Sequence, residues 1–162
     1  VNDPREGVTP VSFEAVLEIL AREFPLGPRS LHGPELHWRN VERFGVALAR
    51  RTPSADERVV RWFSIFHDCQ RDNEYHDPQH GARGAARARE MHAALDLTSA
   101  QLDTLVYACT HHTDGTTSSD PTIGACWDAD RLDLPRVGYT LDVRYLSTPA
   151  ARAFARGERT LI

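Results

Sequence analysis

The sequence predicts an all-α bundle, and three observations predict it. Apolar residues recur at three-, four- and seven-residue spacing in one segment after another. Ser, Thr or Pro opens most of these segments, and short Gly/Pro or polar loops separate them. No segment shows convincing strand alternation, and there are no internal repeats or low-complexity tracts. At 162 residues the chain makes one domain with enough length for a real core.

The first helix opens after Pro10, with Ser12 as its N-cap, and stops before Pro25. Residues 25–33 form a Pro/Gly loop. The second helix starts near Pro34, a favoured first-turn residue, and runs to about Arg51. Ser54 caps a third helix through about Arg71, followed by a polar loop from Asp72 to Pro78 that carries Tyr75 and His76. A fourth helix spans about Pro78 to Leu95. Thr98 or Ser99 caps a fifth that ends at His111-His112. Residues 113–120 read as a solvated loop, and a sixth helix covers roughly Pro121 to Leu134. The tail holds a short turn around Asp142–Tyr145 and a helix near Pro149–Arg156.

Composition removes several functions. The net charge is −4, so there is no general basic surface for nucleic acid. No apolar run approaches the ~20 residues of a membrane span, and no signal peptide is visible. Cys69, Cys109 and Cys126 are too scattered for a disulfide framework or a zinc ribbon and are expected as buried thiols in a reducing cytosol. Cys69, directly after His67-Asp68, is a candidate for oxidation. The chain has no lysine, which excludes Schiff-base and P-loop lysine chemistry. Any phosphate contact from a basic side chain falls to Arg. A homo-oligomer is left open.

Polar ligands interrupt the apolar stripes. His37 continues the stripe Val41, Phe44, Leu48, and His67 continues Val60, Phe63. Asp68 lies about 100° round the same helix, at the edge of the core. His80 opens the stripe Gly84, Ala88, Met91, Leu95. His112 follows Leu102, Leu105, Cys109, whereas His111 falls with Thr104 and Ala108 at the rim. Asp130 follows Ile123 and Trp127, whereas Asp128 falls with Gly124 and Ala125, so Asp130 is the better ligand. An isolated buried carboxylate is costly to ionise. Six such residues pointing inward therefore suggest one or two divalent transition ions, with Mn, Fe, Zn, Ni or Co preferred over Ca by a mixed imidazole and carboxylate set. Trp38, Trp62 and Trp127 are expected in the core.

His37, then the adjacent His67-Asp68, then Asp130-Arg131, each on its own helix, resemble the HD superfamily of metal-dependent phosphohydrolases. The resemblance runs from about Ser30 to Val137. It implies an all-α core of about five helices around one or two metals, with terminal helices added. His37, His67, Asp68 and Asp130 match the ligand set of the first metal. His80 (in His80-Gly81-Ala82-Arg83-Gly84-Ala85) and His112 (in His112-Thr113-Asp114-Gly115) match the added histidines of binuclear members. The nearest likeness is to members that hydrolyse dinucleoside polyphosphates, which carry a similar His-Thr-x-Gly. Arg71, three residues after the His-Asp pair, and Arg131 occupy positions where relatives place phosphate-facing cations.

The implied activity is hydrolysis of a phosphate ester or anhydride of a nucleotide or other small phosphorylated substrate by metal-activated water. Asp68, Arg71, His111 and Arg131 are the candidate catalytic residues. Asp72, Glu74, His76, Asp77 or His111 could supply a general acid or orient the water. No signature ties the chain to a particular base or sugar. The same six-ligand pattern also resembles HD-type di-iron oxygenases, and a non-catalytic nucleotide-binding module is the third alternative.

Overall fold

A computed structural model of the chain describes residues 11–161. Among the described residues the structure is all-helical: α1 (Phe13–Glu23), α2 (Arg39–Ala49), α3 (Glu57–Phe66), α4 (His80–Glu90), α5 (Ser99–His111), α6 (Pro121–Leu132) and α7 (Pro149–Ala155), joined by short irregular turns. None of these helices is long and apolar enough to cross a membrane.

Local chemistry sets most of the starts. Ser12 accepts from the Ala15 amide at the head of α1. Thr98 caps α5 in a reciprocal capping box with Gln101. Asp120 and Thr148 cap α6 and α7, each followed by Pro at the first position. The head of α3 differs from expectation. Ser54 sits at φ 66°, which an N-cap cannot use, and Asp56 caps instead through the Arg58 and Val59 amides.

Two further boundaries differ for reasons that matter to the site. The segment Pro34–Trp38, expected as the first turn of α2, is a π-type turn closed from the Trp38 amide to the Gly33 carbonyl. Helix α3 ends at Phe66 rather than running to Arg71, so His67 terminates it and Asp68 lies beyond it. His67 Nδ1 bonds the Phe63 carbonyl at 3.1 Å, and His112 Nδ1 bonds the Cys109 carbonyl at 2.7 Å at the end of α5. Both imidazoles thus bond carbonyls of the last turn of their own helix; that of Phe63 also accepts the His67 amide. Helix α4 stops at Glu90, and a 3₁₀ turn, His92–Ala94, replaces its expected last turn.

A single buried cluster links the helices, with Trp38, Phe63, Phe66, Leu20, Leu48 and Ile65 among its largest fully buried members. Helix α2 packs on α3 and α6, and α4 packs on α5. All three tryptophans are buried. Two donate from the indole into the core: Trp38 to the His32 carbonyl at 2.7 Å and Trp127 to the Ala108 carbonyl at 3.0 Å. All three cysteines are free and buried. Cys69 is buried, and burial pushes its thiol up, away from the reactive thiolate, which works against the oxidation expected there.

Helix α4 approaches its neighbours through glycine. A Cβ on Gly84 would overlap the Phe66 carbonyl oxygen, and one on Gly81 would overlap the Cys109 carbonyl oxygen. Both obstacles are backbone, so neither can swing aside. Gly84→Ala gains about 1 kcal/mol of helix propensity but meets an overpacking cost of about 1–3 kcal/mol or more. We expect the cost to prevail, read as a lower urea midpoint with an unchanged m-value.

Candidate metal centre

The short helices bring His37, His67, Asp68, His80, His112 and Asp130 together from the Pro34–Trp38 turn, the end of α3, the start of α4, the end of α5 and the body of α6. All but Asp130 are buried, and the Asp130 side chain is 20% exposed toward a cavity. Three close ligand groups overlap here (His32, His37 and Asp68; His37, His67 and Asp130; Asp68, His80 and His112), so the donors divide into a group around His37 and a group around His80.

In the first group, His37 Nε2 lies 3.0 Å from His67 Nε2, 3.5 Å from Asp68 Oδ2 and 3.4 Å from Asp130 Oδ1. His67 Nε2 lies 3.6 Å from Asp130 Oδ1 and 3.8 Å from Asp68 Oδ2. In the second, His80 Nε2 is 2.9 Å from His112 Nε2 and 3.1 Å from Asp68 Oδ1, with His112 Nε2 at 3.6 Å from the same oxygen. Neighbouring donors around one ion with bonds of about 2.1 Å stand about 3.0–3.4 Å apart. Asp68 thus turns one oxygen to each group.

The outer ring nitrogens decide which atoms are bare. His67, His80 and His112 direct Nδ1 at the carbonyls of Phe63, Asp77 and Cys109, and His37 directs Nδ1 at Asp133 Oδ2, 2.7 Å away. Carbonyl and carboxylate oxygens only accept, so each Nδ1 carries a hydrogen. In the neutral rings all four Nε2 atoms then hold lone pairs, and these face each other and two carboxylates. Such a set is repulsive unless protons or cations stand among its members. Asp68 Oδ1 is buried with no hydrogen-bond partner. An orphaned buried oxygen and four imidazole nitrogens, of which His80 Nε2 also has the Arg71 guanidinium 3.1 Å away, fit divalent transition ions.

Charge in the cluster follows the same logic. Burial works against a charged His37, but hydrogen bonds to Asp130, Asp133 and Asp68 outweigh it and hold its pKa well above the ordinary value. Burial pushes His67 down to about 4. For Asp68 and Asp130, burial opposes ionisation, yet the surrounding histidines hold both well below the usual carboxylate range.

A cavity of about 230 Å³ opens beside both groups. Its walls include Arg71, Arg131 and Arg136 on one hand and Leu134 and Val137 on the other. Arg71 Nη1 stands 3.1 Å from His80 Nε2 and 3.7 Å from Asp68 Oδ1, while Arg71 Nε is anchored on the Asn73 carbonyl at 3.0 Å. Arg131 also lines the cavity, but its guanidinium donates to the carbonyls of Gly115, Thr116 and Tyr145 and lies over Trp127. It ties the loop after α5 to the tail. His111 is exposed and rests against Tyr107 at 4.5 Å, and it is not among the residues that line the cavity. Asp128 is fully buried and accepts from Ser147 and Thr148, which fixes the start of α7.

Three further residues of the site lie outside the ligand set expected from the sequence. His32 reaches Asp68 Oδ2 at 3.2 Å from the Pro/Gly loop, where no helical spacing points to it. Asp133 orients His37, and Asn40 and Arg136 hold Asp133 in turn at 2.8 and 2.9 Å. Its position one turn after Asp130 was the available signal. Arg136 follows three residues later, in a 3₁₀ turn.

No family model, curated protein or solved structure matches the chain.

Two measurements follow from this geometry. Cation uptake must displace the proton that the carboxylates hold on His37, so apparent affinity rises with pH through the raised His37 pKa and levels off above it. Calorimetry in buffers of different ionisation enthalpy should show proton release on binding. Asp133→Ala removes the partner that fixes the His37 ring and should weaken cation binding about 10–100-fold. Unchanged affinity in that variant would remove Asp133 from the account.

Proposed function

We propose that this chain is a metal-dependent phosphohydrolase of the HD type, acting on a nucleotide or another small phosphorylated compound. The observation that carries the reading is that Asp68 turns one oxygen toward His37 and His67 and the other toward His80 and His112, at the wall of an arginine-lined cavity. His37, His67, Asp130 and Asp68 Oδ2 would hold one divalent ion, and His80, His112 and Asp68 Oδ1 a second. Such ions supply Lewis acidity toward a phosphoryl oxygen and make water a nucleophile near neutral pH.

The chain's own residues do the rest. Arg71, close to His80 and Asp68 Oδ1, receives phosphate charge next to the second group. Arg136, held by Asp133 and the Leu31 carbonyl, presents a second cation to the same cavity. Arg131 keeps the loop after α5 closed against the site. Asp133 keeps the proton of His37 on Nδ1, which leaves Nε2 free to coordinate. Leu134 and Val137 give one wall apolar character.

The test is release of inorganic phosphate or nucleoside monophosphate from a panel of phosphate esters and anhydrides by Mn²⁺- or Co²⁺-loaded protein. We expect turnover that Asp68→Ala lowers by about 10²–10³-fold or more. A panel without release from fully loaded protein would refute the reading. Uptake of two irons with oxygen-dependent turnover would assign the site to oxygenase chemistry instead.

A further inference from the structure

His32 lies on no helix, yet its placement is fixed. Its amide donates to Ser30 Oγ at 3.1 Å, and its carbonyl accepts from the Trp38 indole at 2.7 Å. The next residue, Gly33, is packed so closely on the Pro28 and Ser30 carbonyls that a Cβ would not fit. The ring stands edge-on to His37, with centroids 5.9 Å apart. It presents Nδ1 to Asp68 Oδ2 at 3.2 Å.

The other ring nitrogen settles what Nδ1 offers. His32 Nε2 lies 3.0 Å from the Glu74 carbonyl, which only accepts, so Nε2 carries the hydrogen. In the neutral ring Nδ1 is a bare lone pair directed at a carboxylate. This repeats the pattern of the four other histidines with the two ring nitrogens exchanged. The 3.2 Å separation is again that of neighbouring donors on one ion.

We propose that His32 is a further ligand of the ion at His37, His67 and Asp130, and that it makes the two ion sites unequal. This rests on the metal reading above. His32, His37 and Asp68 form one close group and His37, His67 and Asp130 another, joined at His37; closing both on one ion would give the first site five donors, His32 Nδ1, His37 Nε2, His67 Nε2, Asp68 Oδ2 and Asp130 Oδ1. The second has three: Asp68 Oδ1, His80 Nε2 and His112 Nε2. A six-coordinate ion with five protein donors has one position left, whereas one with three keeps several positions open for water and substrate. The first ion is therefore tight and long-lived, and the second is weak and exchangeable. Arg71 stands beside the open site, where a phosphate would meet it. A state with one ion per chain is a stable intermediate of loading.

The experiment is a Co²⁺ titration of the chelator-stripped full chain, followed by calorimetry and by the visible d–d bands. Wild type should load in two steps of different affinity. His32→Ala should weaken the first step about tenfold or more, the size of loss that even outer partners of a ligand can cause. It should also shift the first-step bands and leave the second step unchanged. His32→Phe keeps a ring against His37 but removes both nitrogens, and should behave alike. Far-UV circular dichroism checks that both variants fold. First-step affinity and bands equal to wild type in both variants would overturn the proposal, as would a loss confined to the second step. A wild-type chain that takes up no Co²⁺ would overturn the metal reading itself. That result is read from wild type alone and is distinct from a failure at His32.

Discussion

The Asp68 carboxylate, shared between two sets of imidazole nitrogens, is the constraint on which the rest of the site depends. Its two oxygens face His37 and His67 on one side and His80 and His112 on the other. Burying such a carboxylate carries a cost of several kcal/mol before any partner is counted. Hydrophobic burial elsewhere must offset it, and the partners must be held in register. The helix ends around Asp68 meet that need. His67 and His112 lie at the ends of α3 and α5 and bond last-turn carbonyls through Nδ1, so each ligand is aimed from the helix end it occupies.

Close backbone approach is the second requirement. Gly84 and Gly81 let α4 settle on the ends of α3 and α5, and this places His80 within 3.1 Å of Asp68 Oδ1. The polar shell around the ligands is built with the same economy. Asp133 fixes His37, and Asn40 and Arg136 fix Asp133. Asp77 gives its carbonyl to His80 and its carboxylate to Arg83, at 2.6 Å, and to the Asp72 amide, which ties the loop after Asp68 to α4. His37 is thus oriented from another element, by Asp133, whereas His67 and His112 are oriented by carbonyls of their own helices.

Much of this was legible in the sequence because helical spacing carries it. The choice of Asp130 over Asp128 and of His112 over His111 followed from which neighbours each shares, and the structure puts Asp130 and His112 in the cluster and His111 outside it. Asp128 was set apart by the same spacing, although its buried role as acceptor for the start of α7 was not foreseen. What stayed hidden lies where periodicity has no meaning. His32 sits in an irregular loop, and Arg136 sits in a 3₁₀ turn. Helix ends were also misplaced at α3 and α2, because side-chain bonds and a π-type turn, not propensity, set them. Arg131, expected to face phosphate, lines the cavity, and the carbonyls of Thr116 and, from the folded tail, Tyr145 engage its guanidinium, which spacing alone does not reveal.

The central claim is that two cation sites share Asp68, and metal content per chain tests it most directly. The measurement is elemental mass spectrometry on protein purified without chelator, then reconstituted and desalted, with Asp68→Ala prepared in parallel. The account predicts about two transition ions per wild-type chain and loss of both in the variant, because the variant removes a donor from each site. Wild-type protein that stays free of metal after reconstitution, or Asp68→Ala protein that retains the full complement, would contradict it.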